Sequence, residues 1–232
     1  MIEVKQVTKT YGKKQHAFQA LKNISFTIPD GASVAIIGKS GSGKSTLMHA
    51  MSGLDRPESG EVVIDGVDIL KLKRKAVDRF RSEKIGFIFQ AFFVQANETT
   101  YDNVALPLEI AKVPARDRKK RIETALKIVD LSDKIKEKAK NLSGGQKQRL
   151  AIARAIVTKP SIIFADEPTG NLDSTTGEKV EQLLFGLNKK GGSTLIIVTH
   201  DPDLAKKCDI QIHVKDGSIE KIDHKKVEKA KV

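Results

Sequence analysis

The sequence predicts an α/β protein with a mostly parallel sheet, an N-terminal antiparallel β subdomain and an inserted α-helical subdomain. Three observations predict this fold. Short apolar runs that suit strands buried on both faces recur in both halves of the chain. Alternating apolar and polar residues open the chain, and a block with helical spacing separates the two groups of apolar runs. At 232 residues the chain can bury a substantial core as one domain.

The amino-terminal part predicts strands followed by a short helix. IEVKQVT and NISFTI alternate, and PDG closes a turn. SVAIIG, from Ser33, predicts a buried strand that leads into glycine-rich GKSGSGKST, and LMHAMSGL predicts a short helix ending at Gly53. EVVIDGVDIL, at 61–70, predicts two short strands around Asp65-Gly66, and IGFIFQ, at 85–90, predicts a further buried strand.

Residues from about 91 to 158 predict a helical subdomain inserted between core segments 1–90 and 159–232. TYDNVALPLEIAK, ARDRKKRIETALKIVDL and QKQRLAIARAIVTK have helical spacing. We expect Pro114 near the start of the second helix and Ser143 as the N-cap of the third. We expect Pro107 to kink or interrupt the first helix.

The carboxy-terminal core predicts three more strands: SIIFAD, TLIIVT and DIQIHV. Between the first two, DSTTGEKVEQLLFGLNKKGG predicts a helix that is stopped by glycine.

Composition limits the classes of function. The net charge of +12, from 41 basic and 29 acidic residues, allows binding to nucleic acid or to an anionic membrane surface, and also fits a lysine-rich solvated surface. No apolar run approaches the roughly 18 residues that span a bilayer, and the first residues lack the apolar core of a secretion signal. Cys208 is the single cysteine, which favours a reducing compartment.

GKSGSGKS, residues 38–45, matches G-x-x-x-x-G-K-[ST] between a predicted buried strand and a predicted helix. Its glycines let successive N–H groups point at phosphate oxygens, and the helix start adds a positive dipole. Lys44 would reach the β- and γ-phosphates, and the Ser45 hydroxyl would ligate Mg²⁺. We therefore expect a P-loop NTPase core that binds a purine nucleoside triphosphate and Mg²⁺ through these loop residues: Gly38, Lys39, Ser40, Gly41, Ser42, Gly43, Lys44, Ser45 and Thr46.

SIIFADEP places two carboxylates at the end of a predicted strand. Asp166 would hold the hydration shell of Mg²⁺, and Glu167 would reach the attacking water. Taken alone, such a pair also fits a solvated loop.

Ser143, Gly144 and Gly145 predict a second anion site at a helix start. Residues 38–46 are already expected to hold the phosphates of the nucleotide that this chain binds. The second anion site would therefore have no nucleotide to bind within its own chain. Two copies arranged head to tail would use both sites, each copy contributing half of each.

LSGGQ, residues 142–146, is similar to the signature of ATP-binding cassette (ABC) ATPases, and the resemblance covers about residues 2–222. It implies that Ser143, Gly144, Gly145 and Gln146 bind the nucleotide of a second copy. It also implies roles for Lys44 and Glu167 in catalysis.

The same resemblance implies functions for residues that the pattern alone would leave as ordinary packing or surface groups. Tyr11 in KTYG resembles the aromatic residue that stacks on adenine. Gln90 in FIFQ resembles the switch glutamine that contacts Mg²⁺ and the water and couples to the membrane domain. His200 in VTHD resembles the residue that contacts the γ-phosphate, and Asp173 in GNLD resembles the acidic member of the loop that crosses the dimer. Asp201 is a supporting candidate.

DEPTGNLDS, NVALPL and the pair Phe92-Phe93 resemble the subgroup that contains the MacB and LolD ATPases. This implies export or extraction of peptide, antimicrobial or lipoprotein-like substrates. VQANETTYDN departs from the usual stretch that contacts the membrane partner, which leaves the substrate open. Phe92 and Phe93 fit either docking of that partner or core packing.

The resemblance implies an ATPase subunit that lies peripherally at the cytoplasmic face of the cell membrane. Its partners would be a transmembrane permease subunit on a separate chain and, in the ATP-bound state, a second copy. The alternative is a soluble ABC ATPase that acts on nucleic acid or ribosomes. We expect no nucleic acid partner, since the chain has one cassette, no heptad run and no cysteine cluster.

Overall fold

The computed structural model describes residues 1–13 and 16–225. Within them the strands are β1 Ile2–Tyr11, β2 Phe18–Ile28, β3 Ser33–Ile37, β4 Ser59–Ile64, β5 Val67–Asp68, β6 Ile85–Ile88, β7 Ile162–Asp166, β8 Thr194–Thr199, β9 Ile210–Lys215 and β10 Ser218–His224. The helices are α1 Lys44–Met51, α2 Arg74–Lys84, α3 Thr100–Ile110, α4 Ala115–Ile128, α5 Gly144–Ile156, α6 Ser174–Gly191 and α7 Pro202–Lys207. Most of the basic carboxy-terminal segment, beyond residue 225, lies outside the described residues.

The chain divides into two compact units. The first comprises Met1–Leu70 and the part that begins at Ile197, and the second comprises Lys71–Ile196. None of the helices in the described part of the chain is both long and apolar enough to cross a membrane.

An antiparallel sheet in the first unit confirms the predicted amino-terminal strands. Its order is β2-β1-β4-β5. Ile2 of β1 pairs with Ile28 on one side and with Ile64 on the other, and all three side chains are buried. These cross-strand isoleucines give the sheet an apolar face. Asp65 and Gly66 have φ values of 50° and 79°, which a two-residue hairpin turn between β4 and β5 requires.

A second group of strands in the first unit has the order β10-β9-β3-β8, in which β8 contributes its end from Ile197. Strand β3 is parallel to β9, with Val34 opposite Ile210, and β10 is antiparallel to β9. The side chains of Val34, Ala35 and Ile36 are fully buried, as expected for a strand covered on both faces.

The second unit contains strands in the order β8-β7-β6 together with α2 to α6. Strands β6 and β7 are parallel, with Ile85 opposite Ile162. Helices α3, α4 and α5 pack against one another. Their buried side chains include Val104, Leu108, Ile122, Leu126, Leu150 and Ile152. The predicted α/β class, with an antiparallel amino-terminal sheet and a mixed second sheet, is confirmed.

The predicted interruption at Pro107 does not occur, because α3 continues through it to Ile110. Proline removes one backbone donor, which would otherwise bond to the carbonyl of Asn103. The helix ends three residues later, so little helix follows the defect. Burial of Val104 and Leu108 holds the helix in place.

Among the described strands and α-helices, three were not predicted: α2, α7 and β10. The sequence of α2, RKAVDRFRSEK, is mostly charged and shows no apolar stripe that would predict a helix. In the structure, none of its residues is buried. Strand β10 is largely exposed and is defined by its pairing with β9. Helix α7 does have a start signal, since Asp201 accepts hydrogen bonds from the N–H groups of Asp203 and Leu204, and Pro202 opens the helix.

Candidate functional site

The loop at 38–43 joins β3 to α1 in the first unit, and glycine is required at two of its positions. Gly43 has a φ of 106°, and a Cβ there would lie 2.5 Å from the Ala20 carbonyl oxygen. A Cβ on Gly38 would lie 2.2 Å from the Val214 carbonyl oxygen. Gly41 also has a positive φ, of 77°. The loop therefore follows a tight path that other residues would not permit.

Lys44 lies in the first turn of α1 and folds back over this loop. Its Nζ donates to the carbonyl oxygens of Gly38, at 2.7 Å, and Lys39, at 2.9 Å. The residue is buried, and no ion pair joins it to a carboxylate within the described residues. An uncompensated ammonium thus lies beside a helix start, where backbone N–H groups and the helix dipole also attract an anion.

The hydroxyl groups of the loop complete this donor set. Ser42 Oγ is buried and has no hydrogen-bond partner among the described residues. Ser45 is exposed in the first turn of α1, beside half-buried Thr46. Lys39 and Ser40 are exposed on the loop. A tight N–H-rich loop, an ammonium and accessible hydroxyls suit a triphosphate with Mg²⁺, so the residues present fit ATP and its metal ion.

Tyr11 ends β1 and is 41 % exposed. Its hydroxyl donates to Asp55 Oδ2 at 2.6 Å. Burial and this hydrogen bond raise the pKa of Tyr11. Burial alone would raise the pKa of Asp55, but hydrogen bonds from Tyr11 and Lys9 outweigh burial and hold that pKa below its usual value.

His200 and Asp201 follow β8 in the first unit. His200 is exposed, and Asp201 is half-buried as the N-cap of α7. The side chain of Asp201 is thereby occupied by the helix start.

Asp166 and Glu167 lie at the end of β7 in the second unit, and both are half-buried. Glu167 has a φ of 44°, in the left-handed region that costs a non-glycine residue about 1–3 kcal/mol. Strand β6 is parallel to β7, so Gln90 follows at the same edge of the sheet. Asn171 Nδ2 donates to the Gln90 carbonyl oxygen at 3.0 Å. The structure therefore brings Gln90 together with the loop that follows Glu167.

Ser143 is the N-cap of α5, as predicted. Its Oγ accepts from the Gln146 N–H at 3.3 Å, and Gln146 Oε1 accepts from the Ser143 N–H at 2.8 Å. This reciprocal pair is a capping box. The Gln146 side chain, which was predicted to bind nucleotide, is used here to start the helix.

The start of α5 lies against the start of α6 in the second unit. Asp173 caps α6 by accepting from the Thr176 N–H at 3.0 Å. Hydrogen bonds from the Thr176 side chain and from its backbone N–H lower the pKa of Asp173. A Cβ on Gly145 would lie 2.4 Å from Thr176 Cγ2. The predicted signature residues and Asp173 are thus brought together.

The predicted residues are divided between the two units. The first unit carries Tyr11, the phosphate loop with Lys44 and Ser45, and His200, whereas the second carries Gln90, Asp166, Glu167, the signature residues and Asp173. Sequence reasoning missed the neighbours that hold these groups in place, among them Lys9, Asp55, Asn171 and Thr176. Asn171 falls within the GNLD motif, but no spacing rule links Asp55 to Tyr11.

The comparisons with known proteins agree with this fold and these motifs. The family model described as "ABC transporter" matches residues 21–170. The chain belongs to this ABC transporter family. Within it the chain is an ATP-binding subunit, an ATPase of the subgroup that includes LolD.

Individual relatives are similar over almost the whole chain. The lipoprotein-releasing system ATP-binding protein LolD of Syntrophus aciditrophicus (strain SB) is 42% identical, with 94% of this chain and 98% of the relative covered. The uncharacterized ABC transporter ATP-binding protein MJ0796 of Methanocaldococcus jannaschii (strain ATCC 43067 / DSM 2661 / JAL-1 / JCM 10045 / NBRC 100440) is 44% identical, with 95% and 96% covered.

A dimeric, post-hydrolysis structure of the ATP-binding cassette MJ0796 bound to ADP and Pi has a TM-score of 0.88 to this chain. The two are 42% identical, and 97% of this chain and 98% of that chain are covered. The P-loop NTPase fold is thereby established for this chain.

The contact between Gly145 and Thr176 predicts a difference between the two signature glycines. Gly145→Ala should lower the free energy of unfolding by about 1–2 kcal/mol, because its methyl group overlaps Thr176. Gly144→Ala is the matched control, since a Cβ there meets only Phe92, at 4.0 Å. It should be neutral or slightly stabilising, because alanine favours helix more than glycine.

Urea unfolding followed by circular dichroism measures both variants. Thr176→Ser in the Gly145→Ala background should restore part of the loss, since it removes the overlapping Cγ2 and keeps the hydroxyl that bonds to Asp173. Equal effects at the two glycines, or no rescue by Thr176→Ser, would contradict the close packing of α5 on α6.

Proposed function

We propose that the chain is the ATP-hydrolysing subunit of a LolD-type transporter, in which two copies act beneath a transmembrane permease at the cytoplasmic face of the membrane. The observation that carries the proposal is the tight glycine loop with the uncompensated Lys44 ammonium at the start of α1. The lipoprotein-releasing relatives favour a lipoprotein-like substrate, and peptide or antimicrobial substrates are the alternatives. The substrate meets the permease and not this chain.

In the proposed site the first unit binds the nucleotide. The loop N–H groups and Lys44 hold the phosphates, and the Ser45 hydroxyl ligates Mg²⁺. The Tyr11 ring offers a surface for the base, and His200 contacts the γ-phosphate. Lys39, Ser40, Ser42 and Thr46 support the phosphates.

The second unit supplies the groups that act on water. Asp166 and Gln90 complete the magnesium site, and bound Mg²⁺ neutralises phosphate charge. Glu167 orients or activates the attacking water as general base. The hydrogen bonds between Gln90 and Asn171 link the residue expected to sense the permease to the loop after Glu167.

A second copy completes each site in this proposal. Ser143, Gly144, Gly145 and Gln146 present the start of α5 to the nucleotide of the partner copy, and the loop before Asp173 crosses between copies. A helix start rich in glycine lets phosphate oxygens approach the backbone closely. The dimeric cassette structures of the relative support this arrangement.

We place the permease contact in the helical subdomain, at about residues 91–158, and in the strand end before it. An apolar groove of about 220 Å³ is lined by Phe87, Phe89, Phe92, Phe93, Leu106 and Ile110, among others. Phe93 is 68 % exposed and Ile110 is 62 % exposed, so core packing does not account for Phe93. Arg154 Nη1 donates to the Phe93 carbonyl oxygen at 2.5 Å, which fixes the rim of the groove to α5. Exposed aromatic residues beside a groove suit a docked helix.

Lys44→Ala should weaken ATP binding by at least tenfold, because it removes a charge-assisted contact to the phosphates. Isothermal titration with ATP and Mg²⁺ measures this loss. Lys5→Ala, which removes an exposed lysine from β1, is the control and should bind normally. Unchanged affinity in Lys44→Ala would contradict the phosphate loop assignment.

Glu167→Gln should bind ATP, hydrolyse it poorly and accumulate as a dimer, since the amide keeps the shape of the side chain but cannot serve as a base. Size-exclusion chromatography with light scattering measures the dimer. Adding Ser143→Arg should abolish it, because a bulky cation at the start of α5 blocks the partner's phosphates and metal.

Glu123→Arg in the same background is the control, since it adds the same bulky cation at an exposed position on α4, outside the signature, and should leave the dimer in place. Nucleotide binding at the chain's own loop should survive in all these variants. An ATP-bound dimer that persists with Ser143→Arg would show that α5 does not face the partner's nucleotide.

Phe93→Ala should spare folding and ATP binding but reduce assembly with the permease, because it removes an exposed aromatic anchor. Ile128→Ala, at a 46 % exposed position on α4 outside the groove, is the control. Copurification with the permease from membranes compares the two. Equal recovery of the permease with both variants would place its contact elsewhere.

A further inference from the structure

Lys9, Tyr11 and Asp55 form one hydrogen-bonded cluster in the first unit. The Tyr11 hydroxyl donates to Asp55 Oδ2 at 2.6 Å, and Lys9 Nζ donates to Asp55 Oδ1 at 2.9 Å. Lys9 Nζ also donates to the Arg56 carbonyl oxygen at 2.8 Å. Both carboxylate oxygens are therefore used by side chains of β1.

The ammonium of Lys9 also covers one face of the Tyr11 ring. It lies 5.0 Å from the ring centroid, in a cation–π arrangement, and the Lys9 side chain is only 11 % exposed. Tyr11 nevertheless keeps 41 % of its surface exposed. Lys9 thus covers one face of the ring, while the residue as a whole stays partly exposed.

Asp55 is itself fixed to the helix that carries Lys44. Its backbone N–H donates to the His49 carbonyl oxygen, near the end of α1, at 3.1 Å. The Arg56 N–H donates to Asp55 Oδ1 at 2.7 Å, which sets the direction of the carboxylate. The end of β1 is tied through this carboxylate to the phosphate-loop helix.

The charges of the cluster are stable near neutral pH. Burial alone would lower the pKa of Lys9, but its contacts with Asp55 and Glu58 outweigh burial and raise that pKa. The pKa of Asp55 is lowered, as described above. A raised lysine pKa and a lowered carboxyl pKa keep both groups charged across the neutral range, so the tether of Tyr11 persists there.

We propose that Asp55 and Lys9 are positioning residues that hold the Tyr11 ring in one orientation beside the phosphate loop, with a single open face for the base of the nucleotide. This inference rests on the proposed nucleotide site. Neither positioning residue touches the nucleotide. They act because a ring that is already ordered loses less conformational freedom when the base stacks on it.

Asp55→Ala should weaken binding of a non-hydrolysable ATP analogue with Mg²⁺ by about three- to tenfold, the range expected for ordering one side chain on binding. Affinity for inorganic tripolyphosphate should stay unchanged, because that ligand has phosphates but no base. Asp65→Asn removes an exposed carboxylate from the same unit and is the control, with wild-type affinity for both ligands. Isothermal titration measures each affinity.

Tyr11→Phe keeps the ring and removes only the hydroxyl tether, so it should weaken analogue binding by no more than Asp55→Ala, which also releases Lys9. The double variant should be no weaker than Asp55→Ala alone, because that variant already removes the tether of Tyr11. In a Tyr101→Phe background, spectrophotometric titration should show the Tyr11 phenol ionising above the usual pH range for tyrosine, and at lower pH once Asp55 is replaced by alanine.

These measurements separate the positioning role from the nucleotide site. Lys44→Ala with unchanged analogue affinity would overturn the site itself. If Lys44→Ala loses affinity for the ATP analogue while Asp55→Ala and Tyr11→Phe keep wild-type affinity for it, the positioning role alone would be overturned. Equal losses for the analogue and tripolyphosphate in Asp55→Ala would also overturn it, as would additive effects in the double variant. If Asp55→Ala fails to fold, Tyr11→Phe still decides the question, since it removes one hydroxyl.

Discussion

The close approach of backbone carbonyl groups to the loop at 38–43 is the constraint on which the first unit depends. Carbonyl oxygens of Ala20 and Val214 occupy the space that side chains at Gly43 and Gly38 would need. The Gly217 N–H donates to the Ser42 carbonyl oxygen at 3.0 Å, so the β9–β10 turn also holds the loop. Residues of strands that are distant in sequence thus pack closely against the short loop at 38–43. The backbone of this segment therefore keeps one path into α1, since no side chain fits at Gly38 or Gly43.

Helix starts carry a second role throughout the candidate site. Ser143 caps α5, Asp173 caps α6 and Asp201 caps α7, each through its own side chain. A cap fixes both the first helical turn and the loop before it. Since these loops hold the signature, the acidic residue of GNLD and His200, the same hydrogen bonds that begin the helices also place the candidate functional groups. Local helix chemistry and the proposed function are therefore served by the same atoms.

Features that depend on burial or on local backbone shape could be predicted from the sequence. The buried strands, the phosphate loop, the Ser143 cap and the Asp65-Gly66 turn follow from residue type and spacing alone. Helix α2 and strand β10 could not be predicted from the sequence, because neither buries a regular apolar stripe. The side-chain contacts between residues distant in sequence could not be predicted either. Asp55 and Tyr11 are 44 residues apart, and the Gly145–Thr176 contact depends on how two helices pack. The predicted interruption at Pro107 does not occur, because burial of Val104 and Leu108 outweighs the local penalty of proline.

The backbone at Glu167 shows a place where folding and chemistry favour different residues. Its φ of 44° suits glycine or asparagine better than glutamate. Under the proposed role, only the carboxylate serves the attacking water. Laboratory evolution that selects for thermal stability alone would replace Glu167 with residues that adopt this φ without strain. It would yield stable proteins that do not hydrolyse ATP. Under that role, the glutamate that serves catalysis lowers the thermal stability of the fold.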